Sequence, residues 1–195
     1  MPATTPTDIQ EFTTEKQLDA WLKRHASTAP ELWIRIFKVK SGKKTVSPTE
    51  AIDVCLTWGW IDAIRKGLDE ESFLQRYTPR GKKSVWSQVN VENVARLTAA
   101  GRMKPAGLAQ VEAAKADGRW ERAYRMKDAA PPPDLVAALD AEPKARAMFE
   151  KLSSQNRFAI IFRTTSLKTP AGRKKRIADY VAMLKRGETI HPQKS

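Results

Sequence analysis

The stretch Thr57-Trp58-Gly59-Trp60-Ile61-Asp62 puts two indole rings and a carboxylate at one corner of the chain. Residues 58–90 add Tyr77 and Trp86 beside Arg76, Arg80, Lys82, Lys83, Ser84 and Asn90. Aromatic faces next to planar cations stack on planar ligands and fork onto anionic ones. These residue types point to a cleft for an anionic small ligand. Trp60 and Trp86 are expected as its walls and Asp62 and Arg80 as its polar floor, with Tyr77, Ser84 and Asn90 completing the ligand-binding set. The plain reading of the same residues is packing: a tryptophan at a helix–strand corner fills a core, and Asp62 can pair with Arg80 or cap a turn. Trp58, on the stripe of the preceding helix, is expected to face the core.

A second cluster lies in RKKRIADYVAMLKR, 173–186. Arg173, Lys174, Lys175 and Arg176 form a candidate for binding polyanions, with Arg163 and Lys168 upstream. Its plain reading is a solvated helix face.

Other chemistries fail on spacing. SGKKT and RGKKS resemble phosphate loops, but the position five before each Gly-Lys holds Phe37 or Arg76 where a glycine is required. One cysteine and two histidines cannot supply a zinc site. There is no G-x-S-x-G elbow and no G-x-G-x-x-G loop. Cys55 lies in an apolar pattern with no histidine near it and reads as a small buried hydrophobe. His25 falls in the last turn of a helix, and His191 in a tail expected to fray. No catalytic set, metal or cofactor is expected. Asp62 would serve as a base only if desolvated.

The elements that must position these residues are read from period and caps. Thr14 with Gln17 announces a first helix carrying Leu18, Trp21 and Leu22. ELWIRIFKV, 31–39, is apolar on both parities and reads as a central strand covered on both faces. Ser47-Pro48-Thr49-Glu50 is a helix start with a capping box, and Gly59 suits the left-handed residue that ends that helix. WIDAIRK and SFLQRYT make a hairpin, with Trp60, Asp62 and Ile64 on one face of the first strand and Phe73, Gln75 and Tyr77 on one face of the second. Residues 79–90 read as an ordered loop crossing the sheet. Ser87 or Asn90 caps a helix that closes at Gly101, and Pro105 opens another that closes at Gly118. MKDAAPPPD, 126–134, is a linker. Three helical patterns follow: one opened by Pro143, one over about 154–165, and one from Thr169-Pro170 to Gly187. The fold class is α+β, a small antiparallel sheet packed with helices and then a helical C-terminal module. The domains are expected at 1–127 and 134–195.

Bulk composition narrows the setting. The net charge of +13 attracts polyanions and repels cationic peptides. No apolar run reaches the ~20 residues of a membrane span. The N-terminus shows no basic start leading into an apolar stretch, and a lone cysteine rules out an internal disulfide. Both fit the cytoplasm.

TWGWIDAIRKGLDEESFLQRYTPRGKKSVWSQVN, GRMKPAGLAQVEAAKADGRWERAY and FEKLSSQNRFAIIFRTTSLKTPAGRKKRIADYVAMLKRGETIHP together resemble the YdeI/OmpD-associated family of bacteria, also called bacteriocin-protection proteins. The resemblance runs from about Trp21 to Pro192. It implies an α+β N-terminal part, a small helical C-terminal module, and a role in resistance to cationic antimicrobial peptides or bacteriocins, a stress response. It supplies no reaction and no catalytic residues. Lys104 stands where it leads one to expect a small hydroxyl residue at a helix cap. The leading expectation is a non-enzymatic binding or accessory protein whose partner is an anionic small molecule or a protein. A nucleic-acid-binding module is the alternative, on charge, and an enzyme on an anionic small molecule using Asp62 and Arg80 is the third. The oligomeric state is open.

Overall fold

The computed structural model describes residues 8–125, 129–167 and 169–193. The first three residues of the 126–134 linker, and Lys168, lie outside them. The chain divides into two compact units, Met1–Ala123 and Tyr124–Ser195.

The first unit is built on a four-stranded sheet. Its strands are β1 (Ile9–Gln10), β2 (Leu32–Phe37), β3 (Trp60–Gly67) and β4 (Ser72–Pro79), in the order β1-β2-β4-β3. β2 and β4 are central and antiparallel, with Leu32 opposite Tyr77 and Ile36 opposite Phe73. β3 and β4 form the expected hairpin. The sheet is mixed, not wholly antiparallel, because β1 joins β2 in parallel with Ile9 opposite Trp33. A two-residue strand is too short to carry a period, so it left no trace in the pattern.

Two helices pack one face of the sheet. α1 (Glu15–His25) begins where Thr14 Oγ1 accepts from the Gln17 amide at 3.3 Å. The Gln17 side chain reaches one residue further back, accepting from the Thr13 amide at 2.7 Å. α2 (Pro48–Thr57) carries the full capping box: the Ser47 amide donates to Glu50 Oε2 at 2.7 Å, and the Glu50 amide donates to Ser47 Oγ at 3.2 Å. Leu18 and Leu22 of α1 and Ala51, Val54 and Cys55 of α2 meet Leu32, Ile34 and Ile36 of β2 in one buried cluster. On the other face of β2 the strand's neighbours are charged. The Lys66 ammonium lies 5.3 Å from the Trp33 ring centre, and the Arg35 guanidinium 4.6 Å from that of Phe37. Long cationic side chains lay their stems over apolar surface in this way, which is why β2 is apolar on both parities.

α3 (Gln88–Ala99) and α4 (Pro105–Ala116) complete the unit. Ser87 is the cap of α3, accepting from the Asn90 amide at 3.2 Å. A β-carbon on Gly107 would lie 2.2 Å from the Thr57 carbonyl oxygen, so only glycine lets the start of α4 press against the end of α2. Leu56, Val94, Leu97, Val111 and Ala114 form a second cluster around Trp86.

The second unit is helical: α5 (Pro133–Asp140), α6 (Pro143–Glu150), α7 (Ser154–Thr165) and α8 (Pro170–Lys185). Leu135, Leu139, Phe149, Ile160, Ile177 and Leu184 are among its buried core. The tail beyond α8 is tied down, not frayed. Asn156, fully buried, accepts from the His191 amide at 2.8 Å and donates to the His191 carbonyl at 2.9 Å.

Candidate functional site

The corner that begins at Thr57 differs from the expected cleft. α2 ends one residue early, leaving Trp58 as its cap at φ −95° and ψ 3°, and Gly59 turns the chain at φ 77°. Trp60 therefore enters the sheet facing the helices. It is 2% exposed, lies in the core with Leu22 and Tyr77, and donates through Nε1 to the Ala26 carbonyl at 3.3 Å. Trp58 is the half-buried member of the pair, and its Nε1 donates to Asp19 Oδ1 at 2.8 Å. Trp60, expected as a cleft wall, is thus core, while Trp58, expected to face the core, packs against the same cluster and is only partly buried.

The other residues of the expected site separate. Tyr77 is fully buried, and desolvation pushes its phenol far above the usual range. Trp86 is 1% exposed in the second cluster, edge-on to Trp120 at 4.9 Å. Arg80 is 5% exposed, with its guanidinium 3.7 Å from the centre of the Trp86 ring and Nη1 donating to the Val85 carbonyl at 3.2 Å. Ser84 accepts from the Gly81 amide at 3.0 Å, closing a turn, and the Asn90 amide serves the α3 cap. Asp62 is exposed, opposite Tyr77 on β3. An aromatic wall needs an open face, and neither Trp60 nor Trp86 offers one, so these rings are architecture. Cys55 is buried, and desolvation followed by the Asp62 charge raises its thiol well above the usual value. That suits an inert core thiol.

The structure instead opens a cleft of about 360 Å³ lined by α1, the end of α2 and the α3–α4 connection. Glu15, Lys16 and Asp19 come from α1, Val54 and Thr57 from α2, and Gly101, Arg102 and Lys104 from the connection. Trp58 belongs to its frame: it bonds Asp19, and the Lys104 ammonium lies 5.8 Å from its ring centre. Arg102 is paired with Glu15. Lys16 and Lys104, by contrast, make no ion pair among the described residues. Lys104 is also the N-cap of α4 without a side-chain cap bond. Nearby, Arg96 donates from Nη2 to both oxygens of the buried Asp53 at 2.7 and 2.8 Å, which fixes α3 to α2. Two ammonium groups without a carboxylate partner, in a cleft whose own carboxylates Glu15 and Asp19 are engaged by Arg102 and Trp58, suit a small anion. Sequence reading missed this site because it is assembled from segments thirty-five and more residues apart. The departure at Lys104 from the expected cap hydroxyl was the one local sign of it.

The basic cluster of α8 is also only partly available. Arg173 forks onto Asp134 of α5 at 2.5 and 2.8 Å, and Lys175 pairs with Asp179 at 3.4 Å. Lys174 is exposed, and Arg176 leans 5.8 Å over the Tyr180 ring centre. Among the described residues no cluster of His, Cys, Asp or Glu could hold a metal ion. No described helix is long and apolar enough to cross a membrane.

Fold and cleft together define an α+β unit with a cationic cleft, followed by a small helical unit. Residues 10–110 match a family model described as a domain of unknown function, DUF8412. This match spans more than half of the chain, and the chain belongs to that family. Residues 128–187 match the model described as bacteriocin-protection, YdeI or OmpD-associated. The resemblance read from the sequence over nearly the whole chain is thus carried by the C-terminal part, while the N-terminal part falls under the other model. No curated protein and no solved structure matches the chain.

Proposed function

We propose that this protein is a non-catalytic accessory factor in bacterial resistance to cationic antimicrobial peptides or bacteriocins. The observation that carries the reading is the match of residues 128–187 to the bacteriocin-protection model. The cleft supports a mode of action. Lys16 and Lys104 bind a small anion there, and the occupied protein acts on the resistance response in the cytoplasm. A chain of net charge +13 does not grip a cationic peptide directly, because the two repel.

The test is genetic. Deleting the gene in the bacterium that carries it should raise sensitivity to a cationic peptide such as polymyxin, and the intact gene should restore resistance. Restoration should fail with Lys16→Glu plus Lys104→Glu although the variant folds. Unchanged sensitivity to several peptides after deletion rejects the resistance role. Fractionation locates the protein.

A second reading, nucleic-acid binding, is favoured by the exposed Lys174 and Lys175 on α8 and by the overall charge. It calls for affinity that falls steeply with salt. A labelled duplex and a single strand titrated at two salt concentrations decide it, and no binding at low salt removes it.

A further inference from the structure

The second unit carries a groove of about 440 Å³ between α5 and α8. From α8 it is lined by Lys174, Ile177, Ala178, Val181, Ala182 and Lys185. These follow the i, i+3, i+4, i+7, i+8, i+11 pattern of one helix face. The floor is therefore an apolar strip with a lysine at each end. At 1.5 Å per residue, eleven residues separate the α-carbons of the two lysines by about 16 Å along the axis, three turns of helix. Ala138 of α5 forms the opposite wall, with Glu142 just beyond it. Ala178 and Ala182 are exposed and carry only methyl groups, so another backbone can approach closely. Lys185 pairs with Glu142 at 3.0 Å, while Lys174 has no carboxylate partner among the described residues.

We infer that this groove docks an acidic amphipathic helix of a partner protein. An apolar strip three turns long takes a helix by its i, i+3, i+4, i+7 residues. The charge chooses its sign. Between 124 and 195 the chain has fifteen Lys and Arg against seven Asp and Glu, so an acidic helix is drawn to this unit and a basic one is repelled. A second copy would bring its own Lys174 and Lys185 against the same lysines, which disfavours self-pairing through α8. Lys174 receives an acidic residue at one end of the docked helix, and its apolar side chains cover Val181, Ala178 and Ala182. This inference does not depend on the cleft beside Trp58.

The test uses the full chain and three fluorescent synthetic peptides of four helical turns. The first has an apolar i, i+3, i+4, i+7 stripe flanked by glutamates. The second has the same composition with the stripe scrambled, and the third has lysines in place of the glutamates. The first should bind. Both controls should bind about tenfold more weakly or worse, the scrambled one because charge alone holds it and the basic one because it is repelled. Ala178→Glu, which places bulk and negative charge on an exposed methyl, should weaken the first peptide about tenfold or more at unchanged melting temperature. Lys174→Glu should do the same, whereas Lys104→Glu in the cleft should leave it unchanged. No binding, equal binding of the scrambled peptide, or no effect of Ala178→Glu overturns the proposal. So does a dimer in sedimentation that Ala178→Glu dissociates, which would give the groove to a second copy. Tighter binding of laurate or of phosphatidylglycerol vesicles than of the peptide, lost in Ala178→Glu, would assign it to a lipid instead.

Discussion

The guanidinium of Arg80 lies 3.7 Å from the centre of the Trp86 ring, and both residues are buried. A desolvated cation over an indole contributes about 2 kcal/mol, and the bond to the Val85 carbonyl about 1 more. Arg80→Ala should therefore destabilise the fold by about 2–4 kcal/mol. Arg80→Lys should recover only part of this, since an ammonium cannot stack flat. Urea unfolding measures both. An Arg80→Ala protein as stable as the parent would return Arg80 to the list of ligand contacts.

The full burial of Trp60 beside the partial burial of Trp58 gives a second comparison. Trp60→Ala opens a cavity in the core and should cost about 3–5 kcal/mol. Trp58→Phe keeps most of the ring and loses the hydrogen bond to Asp19, so it should cost about 1 kcal/mol. Melting curves of the two variants decide the order. The reverse order would make Trp58 the more deeply buried of the two.

Gly107→Ala tests the contact of α4 with α2. In an open helix the change would stabilise by about 1 kcal/mol. Here the new methyl would overlap the Thr57 carbonyl, and displacing α4 should cost about 1–3 kcal/mol net. A rise in melting temperature would mean that the two helix ends do not touch as described.

The sequence revealed what is local. Ser47 and Glu50 lie within one turn, and their box forms as read. Gly59, Gly101, Gly118 and Gly187 each close a helical pattern in the sequence, and each has positive φ. What escaped depends on distant segments. Between Asp62 and Arg65 the strand has one residue more than its partner, so Arg65, opposite Gln75, takes the face expected for Ile64. A bulge shifts parity without a signature in composition. Which face Trp60 takes is settled by where α1 and α2 pack, and α1 precedes it by thirty-five residues. The site fared worse than the fold for the same reason. Residues 58–90 are dense in chemistry but mostly serve two cores, while Lys16 is unremarkable in sequence, Lys104 shows only as a departure at a helix cap, and the two come to one cleft only in space.

Acid should destabilise the protein in a defined direction. Hydrogen bonds from the Ser47 backbone and side chain hold the Glu50 carboxyl below its ordinary value, and Arg173 does the same for Asp134. A carboxyl with a depressed folded-state pKa contributes stability that is complete above its unfolded value and is lost as pH falls through the folded one. The urea midpoint should hold from neutrality to about pH 5 and decline below it. Asp134→Asn should lower the neutral midpoint slightly and flatten the decline. An unaltered slope in that variant would mean that the Arg173 pair contributes nothing in solution, as many surface pairs do.

Lys104 separates stability from function most cleanly. It occupies the N-cap of α4, a position that favours Ser, Thr, Asp or Asn, yet it makes no cap bond there. Lys104→Ser supplies a hydroxyl to the first turn, worth about 0.5–1 kcal/mol. It removes only a loose contact with Trp58, at 5.8 Å from the ring centre. The melting temperature should hold or rise. The same change takes one of the two uncommitted ammonium groups from the cleft, and a site relying on both should lose most of its hold on a small anion. Peptide resistance in a complemented deletion strain should then fall while the protein becomes no less stable. A stable Lys104→Ser variant that restores full resistance would show that the cleft is not where the protein works, even if the resistance role itself stands.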